Sequence, residues 1–188
     1  MKNKAALIIA IIFFVLTFTL LLWPMKARAL SVKRYATKTV ELTDAQGVKV
    51  AEVKMNTRLD VVAQNSKVTT VNYNGQPLYV KTTYLHEKKA VNKWKGKSFK
   101  RKGRGRWNKC SWTWYSTRQS CGKVRGVKGK HIGSRGFVFD KDGYIVLASG
   151  RKNKKKRVIV PTPFGYYGKV YDTNGRNNNK WFDVYTNW

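Results

Sequence analysis

Short runs rich in Val, Thr and Tyr, separated by turn sequences, dominate the chain after residue 34. Between residues 34 and 86 they read KTVELT, KVAEVKM, RLDVVAQ, KVTTVNYN and PLYVKTTYL, divided by DAQG, MNT, NSK and NGQP. Partial alternation of apolar and polar residues favours strands, and the helical period of 3.6 residues is absent. The pattern predicts a mainly β protein whose first part is a small barrel of five short strands.

A second set of β-forming runs fills the C-terminal half: CSWTWYST, GFVFD, GYIVLAS, RVIVPT, GKVYD and WFDVYTNW. These runs predict a second, six-stranded β-barrel over residues 110–188, closed by the last run. In that run, a period of two places Phe182, Val184 and Trp188 on one face and Asp183 and Tyr185 on the other. We expect the first face to join the core and the second to face solvent or a ligand.

Positive charge is the strongest feature of the composition. The chain has 39 Lys and Arg residues against nine Asp and Glu, a net charge of +30. Such a field attracts polyanions, whether nucleic acid, anionic lipid or the phosphate-rich polymers of a bacterial wall. The cluster RKNKKKR at residues 151–157 is predicted to be an exposed loop between two strands.

The densest cationic segment, KKAVNKWKGKSFKRKGRGRWNK, spans residues 88–109 and contains no acidic residue. We predict a flexible basic linker between two domains, because the segment has little apolar surface to bury. Its aromatic residues Trp94, Phe99 and Trp107 could stack on bases or sugars or enter a membrane surface. The alternative is a solvated linker in which these rings have no role.

The N-terminus combines a basic start, MKNK, with an uncharged apolar run from Ala5 to Trp23. That run is long enough to cross a bilayer as a helix. Its basic start and the small-x-small sequence Ala27–Arg28–Ala29 are also typical of a cleaved secretory signal. Residues 1–30 are therefore predicted to be a signal peptide or a membrane anchor, which makes the protein secreted or membrane-anchored and extracytoplasmic.

Two cysteines, Cys110 and Cys121, bracket the aromatic segment SWTWYSTRQS. A disulfide between them fits an oxidising compartment, and two buried thiols are the alternative. His86 and His131 complete no metal-ligand spacing, so we expect neither a metal nor another cofactor.

Part of the N-terminal β region resembles a known family. The stretch VNYNGQPLYVKTTYL, with an Asn-Gly turn between strands and a final Thr-x-Tyr-Leu, resembles the closing pattern of bacterial SH3-like domains on secreted cell-wall proteins. The earlier KVAEVKMNTRLDVVAQ is similar to the middle strands of that family, whereas its usual LNVRSGPS element is replaced by VELTDAQG. The resemblance implies an SH3-like, non-catalytic wall- or peptide-binding domain over residues 34–87.

Two carboxylates stand out near the C-terminus. In YDTNGRNNNKWFDVY, Asp172 and Asp183 are eleven residues apart. Cleavage of a glycosidic bond needs a carboxylic acid that protonates the leaving oxygen, and aspartates on adjoining strands could supply such a pair. The alternative is that they cap turns or pair with Lys and Arg.

The same stretch resembles the closing motif of the three-aspartate domain, a double-psi β-barrel related to the membrane-bound lytic transglycosylase A family. That motif reads D-T-G-G-A-I-K-G-x-x-x-D-hydrophobic-aromatic, and this chain matches it at Asp172, Thr173, Gly175 and Asp183. The resemblance implies that Asp183 is the acid/base and Asp172 its supporting carboxylate in a reaction that forms an anhydro-sugar. The family's AIKG is replaced by RNNN, and Ser149 stands where its first aspartate would be.

Aromatic residues supply candidates for a glycan-binding platform, namely Trp114, Tyr166, Tyr167 and Tyr185. Half of any alternating set belongs in the core, and we expect Trp114, Tyr166 and Tyr167 to be partly exposed.

The leading hypothesis is an exported cell-envelope protein of a Gram-positive bacterium. Its partners would be peptidoglycan glycan strands and anionic wall polymers, together with the membrane if the N-terminal segment is retained. Cleavage as a lytic transglycosylase and non-catalytic binding of glycan or wall both remain open. A polyanion binder acting on nucleic acid is the third hypothesis, although no recognisable nucleic-acid motif appears.

Overall fold

The computed structural model of the chain describes residues 32–117, 124, 126–133 and 135–188. The protein is mainly β, as predicted, with two sheets, one of which curls into a half-barrel. Val32–Trp188 form one compact unit. Within the described ranges, no helix is both long and apolar enough to cross a membrane. The predicted signal or anchor at residues 1–30 lies outside those ranges.

The first sheet contains seven short strands. They are β1 (Val32–Ala36), β2 (Val40–Thr43), β3 (Lys49–Val53), β4 (Arg58–Gln64), β5 (Val68–Tyr73), β6 (Gln76–Lys81) and β7 (Leu85–His86). Their order is β3-β2-β6-β5-β4-β1-β7, with antiparallel neighbours throughout. A 3-10 helix, Thr82–Tyr84, precedes β7. The five predicted strands are confirmed as β2 to β6, and β1 and β7 add to them.

Local sequence explains this sheet well. Asn74 and Gly75, between β5 and β6, have φ angles of 52° and 82°. Positive φ at both positions is what a tight type I′ hairpin requires, and Asn-Gly is its preferred sequence. Alternate residues such as Leu42 on β2 and Leu78 on β6 are buried and form one apolar core with neighbouring strands.

The second sheet contains eight strands. They are β8 (Arg104–Trp107), β9 (Cys110–Ser116), β10 (His131–Ile132), β11 (Val138–Phe139), β12 (Ile145–Ser149), β13 (Ile159–Pro161), β14 (Tyr167–Thr173) and β15 (Trp181–Thr186). The main order is β10-β11-β12-β15-β9-β8, while β14 pairs with β12 and β13 with β14. The β12–β14 and β15–β9 pairs are parallel. All six predicted strands are present, with β8 and β10 in addition.

Apolar residues cover both faces of this sheet around β15. Phe182 and Val184 are buried in one cluster, and Trp188 packs against it, which confirms the predicted core face. Tyr185, on the other face of β15, belongs to a second cluster with Ala148 and is 5% exposed. The second face was predicted to be open to solvent or a ligand, and at Tyr185 that prediction is wrong.

Residues 88–109 fold rather than forming the predicted flexible linker. Helix α1 (Gly96–Lys102) is followed by β8, which pairs with β9. Phe99 on α1 is 3% exposed, and Trp94 stacks on it with ring centroids 5.5 Å apart. These two rings contribute to a core that lies largely in other segments, so charge in the segment itself does not keep it unfolded.

Residues 151–157, predicted to be an exposed loop, also form a helix. This second helix, α2 (Arg151–Lys156), joins β12 to β13, and Arg157 ends it with a positive φ of 50°. Its basic side chains are mostly exposed, as expected for a surface position.

Polar contacts connect the two sheets. The Thr37 hydroxyl donates to the backbone oxygen of Tyr84 at 3.0 Å, which uses its single hydrogen. The Tyr144 hydroxyl must therefore donate to Thr37, at 2.7 Å. Lys38 and Asp142 form an ion pair of 3.1 Å beside this contact. The two β regions are thus directly bonded to each other and not merely tethered.

Candidate functional site

The two candidate catalytic carboxylates lie on either side of β12. Asp172 on β14 and Asp183 on β15 are both in register with Ala148. Residues in register on neighbouring strands point to the same face of a sheet, and two strand spacings separate these two by about 10 Å at Cα. The structure therefore brings Asp172 and Asp183 onto one face, each with its own set of hydrogen-bond partners.

Asp183 is held by the neighbouring strand and by its own. The Thr113 hydroxyl, from the paired position on β9, donates to Oδ1 of Asp183. The indole N–H of Trp181 lies 3.1 Å from the same oxygen and 2.8 Å from Oγ1 of Thr113. The Arg176 guanidinium lies over the Trp181 ring, 4.4 Å from its centroid. Asp183 remains partly exposed in this arrangement.

Asp172 is an ion-paired carboxylate. Its Oδ1 accepts from Lys154 Nζ at 3.2 Å and from the backbone N–H of Thr173 at 2.8 Å, and its Oδ2 accepts from the Tyr185 hydroxyl at 3.0 Å. Partial burial, the largest single influence, raises the pKa of Asp172. The three hydrogen bonds together outweigh it, so the pKa lies below its ordinary value. Asp172 is therefore an anion at neutral pH and cannot donate a proton there.

Tyr185 connects this carboxylate to the core. The side chain is buried, and burial followed by the nearby Asp172 charge raises the pKa of its hydroxyl well above the ordinary value. It therefore stays protonated and donates to Asp172. A ring with so little exposed surface offers no face to a sugar, so its geometry does not favour the predicted glycan contact.

The other predicted glycan-binding residues lie elsewhere. Trp114 is in register with Val184, which places it on the opposite face of the sheet from Asp183, and Tyr166 packs edge-on against Phe139 with centroids 5.1 Å apart. Both are partly exposed, as expected. Tyr167 is fully buried, contrary to the prediction, because it begins β14 inside an apolar cluster with Ala90 and Tyr144. These rings do not assemble into a platform beside Asp183.

The Asn-rich loop after β14, which departs from the three-aspartate motif, has a structural role that the sequence did not reveal. Oδ1 of Asn177 accepts from the backbone N–H of Arg151 at 2.9 Å, and Oδ1 of Asn179 accepts from that of Asn153 at 3.3 Å. Both N–H groups belong to the first turn of α2, where the N–H of Arg151 precedes the first helical hydrogen bond and that of Asn153 also donates to the backbone oxygen of Gly150 at 3.0 Å. Asn177 and Asn179 of the RNNN sequence therefore help to cap a cationic helix.

A shallow, open cationic depression of about 540 Å³ adjoins Asp172. It is lined by Arg151, Lys154, Lys155, Arg157 and Thr173. The only carboxylate bonded to these residues is Asp172, through Lys154, within the part of the chain that the structure describes. The surroundings of Asp172 thus suit an anion better than a neutral sugar.

Cysteine and metal chemistry add little to this site. Cys110 has no disulfide partner among the described residues, and Cys121 lies outside them, so the disulfide stays a prediction. Partial burial raises the pKa of the Cys110 thiol. Among the residues placed in the structure, no group of three or more His, Cys, Asp or Glu side chains could hold a metal ion.

The fold defines the class of this protein coarsely, as a mainly β protein with two sheets and two short helices. No family model, curated protein or solved structure matches the chain. The SH3-like and three-aspartate assignments therefore remain proposals that depend on the quoted motifs.

Proposed function

We propose that this protein is an exported cell-envelope protein that binds peptidoglycan together with the anionic polymers of a Gram-positive wall. The observation that carries this proposal is the positive charge left unpaired by the fold. Nine acidic residues face 39 basic ones. In the described part of the chain, the ion pairs engage only six basic residues, which are Arg34, Lys38, Lys49, Arg58, Lys141 and Lys154.

The two β regions have separate parts in this proposal. The first sheet is the proposed SH3-like wall-binding module, supported by its antiparallel strands and its Asn-Gly hairpin. The second sheet is the proposed double-psi-type domain, supported by the Asp172–Asp183 motif. Residues 1–30 would deliver both to the outer side of the membrane as a cleaved signal or a retained anchor.

Binding of an anionic polymer is favoured over cleavage by the cations around Asp172. A general acid for a glycosidic oxygen needs a pKa raised toward neutrality. Asp172 has a lowered pKa and an ion pair with Lys154, so it cannot be that acid, and only Asp183, the acid/base of the motif, is left for the role. The neighbouring depression is lined by cations, which suits a phosphate group rather than an uncharged sugar.

Sedimentation with purified cell walls tests the proposal. The full chain, in non-ionic detergent, is mixed with native walls and with walls chemically stripped of their phosphate polymers. We expect strong binding to native walls that weakens steeply between about 0.05 and 0.5 M salt. Each phosphate contact releases a counterion, so the logarithm of the binding constant should fall by about one unit per tenfold rise in salt for each contact. If the protein does not sediment with native walls at about 0.1 M salt, the proposed wall binding is wrong.

Lytic cleavage is the second candidate, favoured by one observation: Asp183 is partly exposed and shares a sheet face with Asp172 across Ala148. Digestion of purified peptidoglycan followed by analysis for anhydro-muramyl products tests it. Asp183→Asn should abolish such products, whereas Asp60→Asn, on the first sheet, should leave them unchanged. If the folded parent gives none, this candidate is wrong and the binding proposal stands.

A further inference from the structure

We infer that helix α1 and the residues beside it form a docking surface for a flexible polyol-phosphate chain, which it binds through the phosphates alone. This inference rests on the proposed function and names the part of the molecule that performs it. The surface, called the α1 surface below, contains Lys95, Lys97, Lys100, Lys102, Arg104 and Arg135.

Charge on the α1 surface is uncompensated. Its six basic side chains are exposed, and no ion pair is found for any of them in the described part of the chain. The sequence has no acidic residue between Glu87 and Asp140, so the segments that build the surface supply none. A concentration of like charge at this density attracts polyanions and is relieved by binding one.

The first turn of helix α1 carries cations at a cost to the helix, whereas Lys100 and Lys102 in the last turn complement the helix dipole. Lys95 at the N-cap makes no side-chain capping bond, and no acidic residue occupies the first turn. Lys97 instead stands near the positive end of the helix dipole, and Lys97 and Arg101 are like charges four residues apart. Charge placed against local stability is more readily explained by a ligand than by folding.

A buried aromatic anchor keeps the helix in place. Phe99 packs against Phe164 with centroids 5.0 Å apart and against Trp188 at 6.4 Å. A cavity lies on each side of the helix, about 520 Å³ beside Trp94 and about 760 Å³ beside Trp188. The cations therefore line two grooves of a fixed surface, as an extended polymer would need.

The aromatic rings at this surface are not free to stack on a base. Trp94 has Phe99 against one face, with the ring planes 18° apart. The backbone of Gly105 also lies close to the Trp94 ring, since a Cβ on Gly105 would be 2.4 Å from it. Trp188 donates its indole N–H to the backbone oxygen of Arg135 at 3.1 Å and packs against Trp114.

The packing of these rings favours a polyol-phosphate chain over nucleic acid or a membrane surface. Sequence-independent binding of single-stranded nucleic acid depends on stacking of bases on open aromatic faces. Insertion into a membrane needs an apolar helix face turned outward, whereas Phe99 on α1 is turned inward and buried. A polyol-phosphate chain requires neither and uses only the charge and the grooves.

The test uses a synthetic glycerol-phosphate oligomer of defined length and the full chain in non-ionic detergent. One variant combines Lys95→Gln, Lys97→Gln and Lys100→Gln on the α1 surface. The matched control combines Lys33→Gln, Lys54→Gln and Lys67→Gln, which removes the same charge from exposed positions on β1 and in two connections of the first β region. Affinity is measured by titration at several salt concentrations, and circular dichroism checks that both variants fold.

We expect the α1 variant to bind the oligomer at least about tenfold more weakly than the parent does. The slope of the logarithm of its affinity against the logarithm of salt concentration should be smaller in magnitude by about two to three. The control should lose less than about threefold, since only long-range attraction changes. Equal losses in the two variants would overturn the inference, as would equal or tighter binding of a single-stranded oligonucleotide of the same charge. If the parent sediments with native walls but does not bind the oligomer, the inference fails and the proposed function survives.

Discussion

The contact between Thr37 and Tyr144 makes a sharp prediction about how the two sheets are coupled. Replacing Thr37 with Val removes the acceptor of the Tyr144 hydroxyl, which is 2% exposed and has no other partner among the described residues. The backbone oxygen of Tyr84 keeps its bond to the N–H of Thr37, at 2.8 Å. The cost is therefore that of one buried unpaired donor, about 1–3 kcal/mol of unfolding free energy.

Substitution of the partner residue, Tyr144, should lower the free energy of unfolding by less. In Tyr144→Phe the Thr37 hydroxyl still donates to Tyr84, so only one net hydrogen bond is lost, about 1 kcal/mol. Combining both substitutions leaves no unpaired donor, and the double variant should be at least as stable as Thr37→Val alone. This asymmetry distinguishes a hydrogen bond with a fixed direction from a general packing contact.

Urea unfolding measures both the cost and the coupling. Residues 32–86 contain no tryptophan, so in a Trp23→Phe background fluorescence reports only on the second β region, whereas circular dichroism reports on both. If the sheets unfold together, Thr37→Val shifts both transitions to the same lower urea concentration. An unchanged fluorescence transition beside a shifted dichroism signal would show independent sheets, and a larger loss in Tyr144→Phe would refute the assigned donor.

Three further predictions concern other parts of the fold. Gly105→Ala should destabilise the protein by about 1–3 kcal/mol because its Cβ would meet Trp94, while Gly175→Ala, with open space, should cost under about 0.5 kcal/mol in the same urea unfolding. Asn177→Ala should cost about 1–3 kcal/mol, because it uncaps α2 and also places Ala at a φ of 48°, and no loss of thermal midpoint would contradict the capping role. Partial burial raises the pKa of Asp142, but hydrogen bonds from Lys141 and Lys38 hold it below its ordinary value. The ion pairs of Asp142 thus stabilise the fold above about pH 4, and this stabilisation is lost as the pH falls through the folded-state pKa of Asp142. Asp142→Asn should lower the thermal midpoint at pH 7 and not at pH 2, and equal losses at both pH values would rule out the ion-pair explanation.

Much of the fold follows from local sequence. The strands were predictable because alternation and turn residues act over a few positions, as the Asn74–Gly75 hairpin and the core face of Phe182 and Val184 illustrate. Residues 88–109 were mispredicted because composition averages over the segment. One ring, Phe99, completes a core built by distant strands and outweighs the surrounding lysines.

The candidate site was less predictable, because its geometry depends on long-range pairing. The parallel alignment of β15 with β9 brings Thr113 beside Asp183 across 70 residues, and no local pattern encodes that register. The capping of α2 by Asn177 and the ion pair of Asp172 with Lys154 likewise join segments that are separate in sequence. Spacing alone could identify the two aspartates but not their partners.

The position of β15 between β12 and β9 has a consequence for the order of folding. In the first sheet, β4, β5 and β6 pair with sequence neighbours and can assemble early. The centre of the second sheet stays empty until residues 181–186 are available, and closing so long a loop is slow. We expect a protease-resistant first sheet to appear well before the second in a refolding time course.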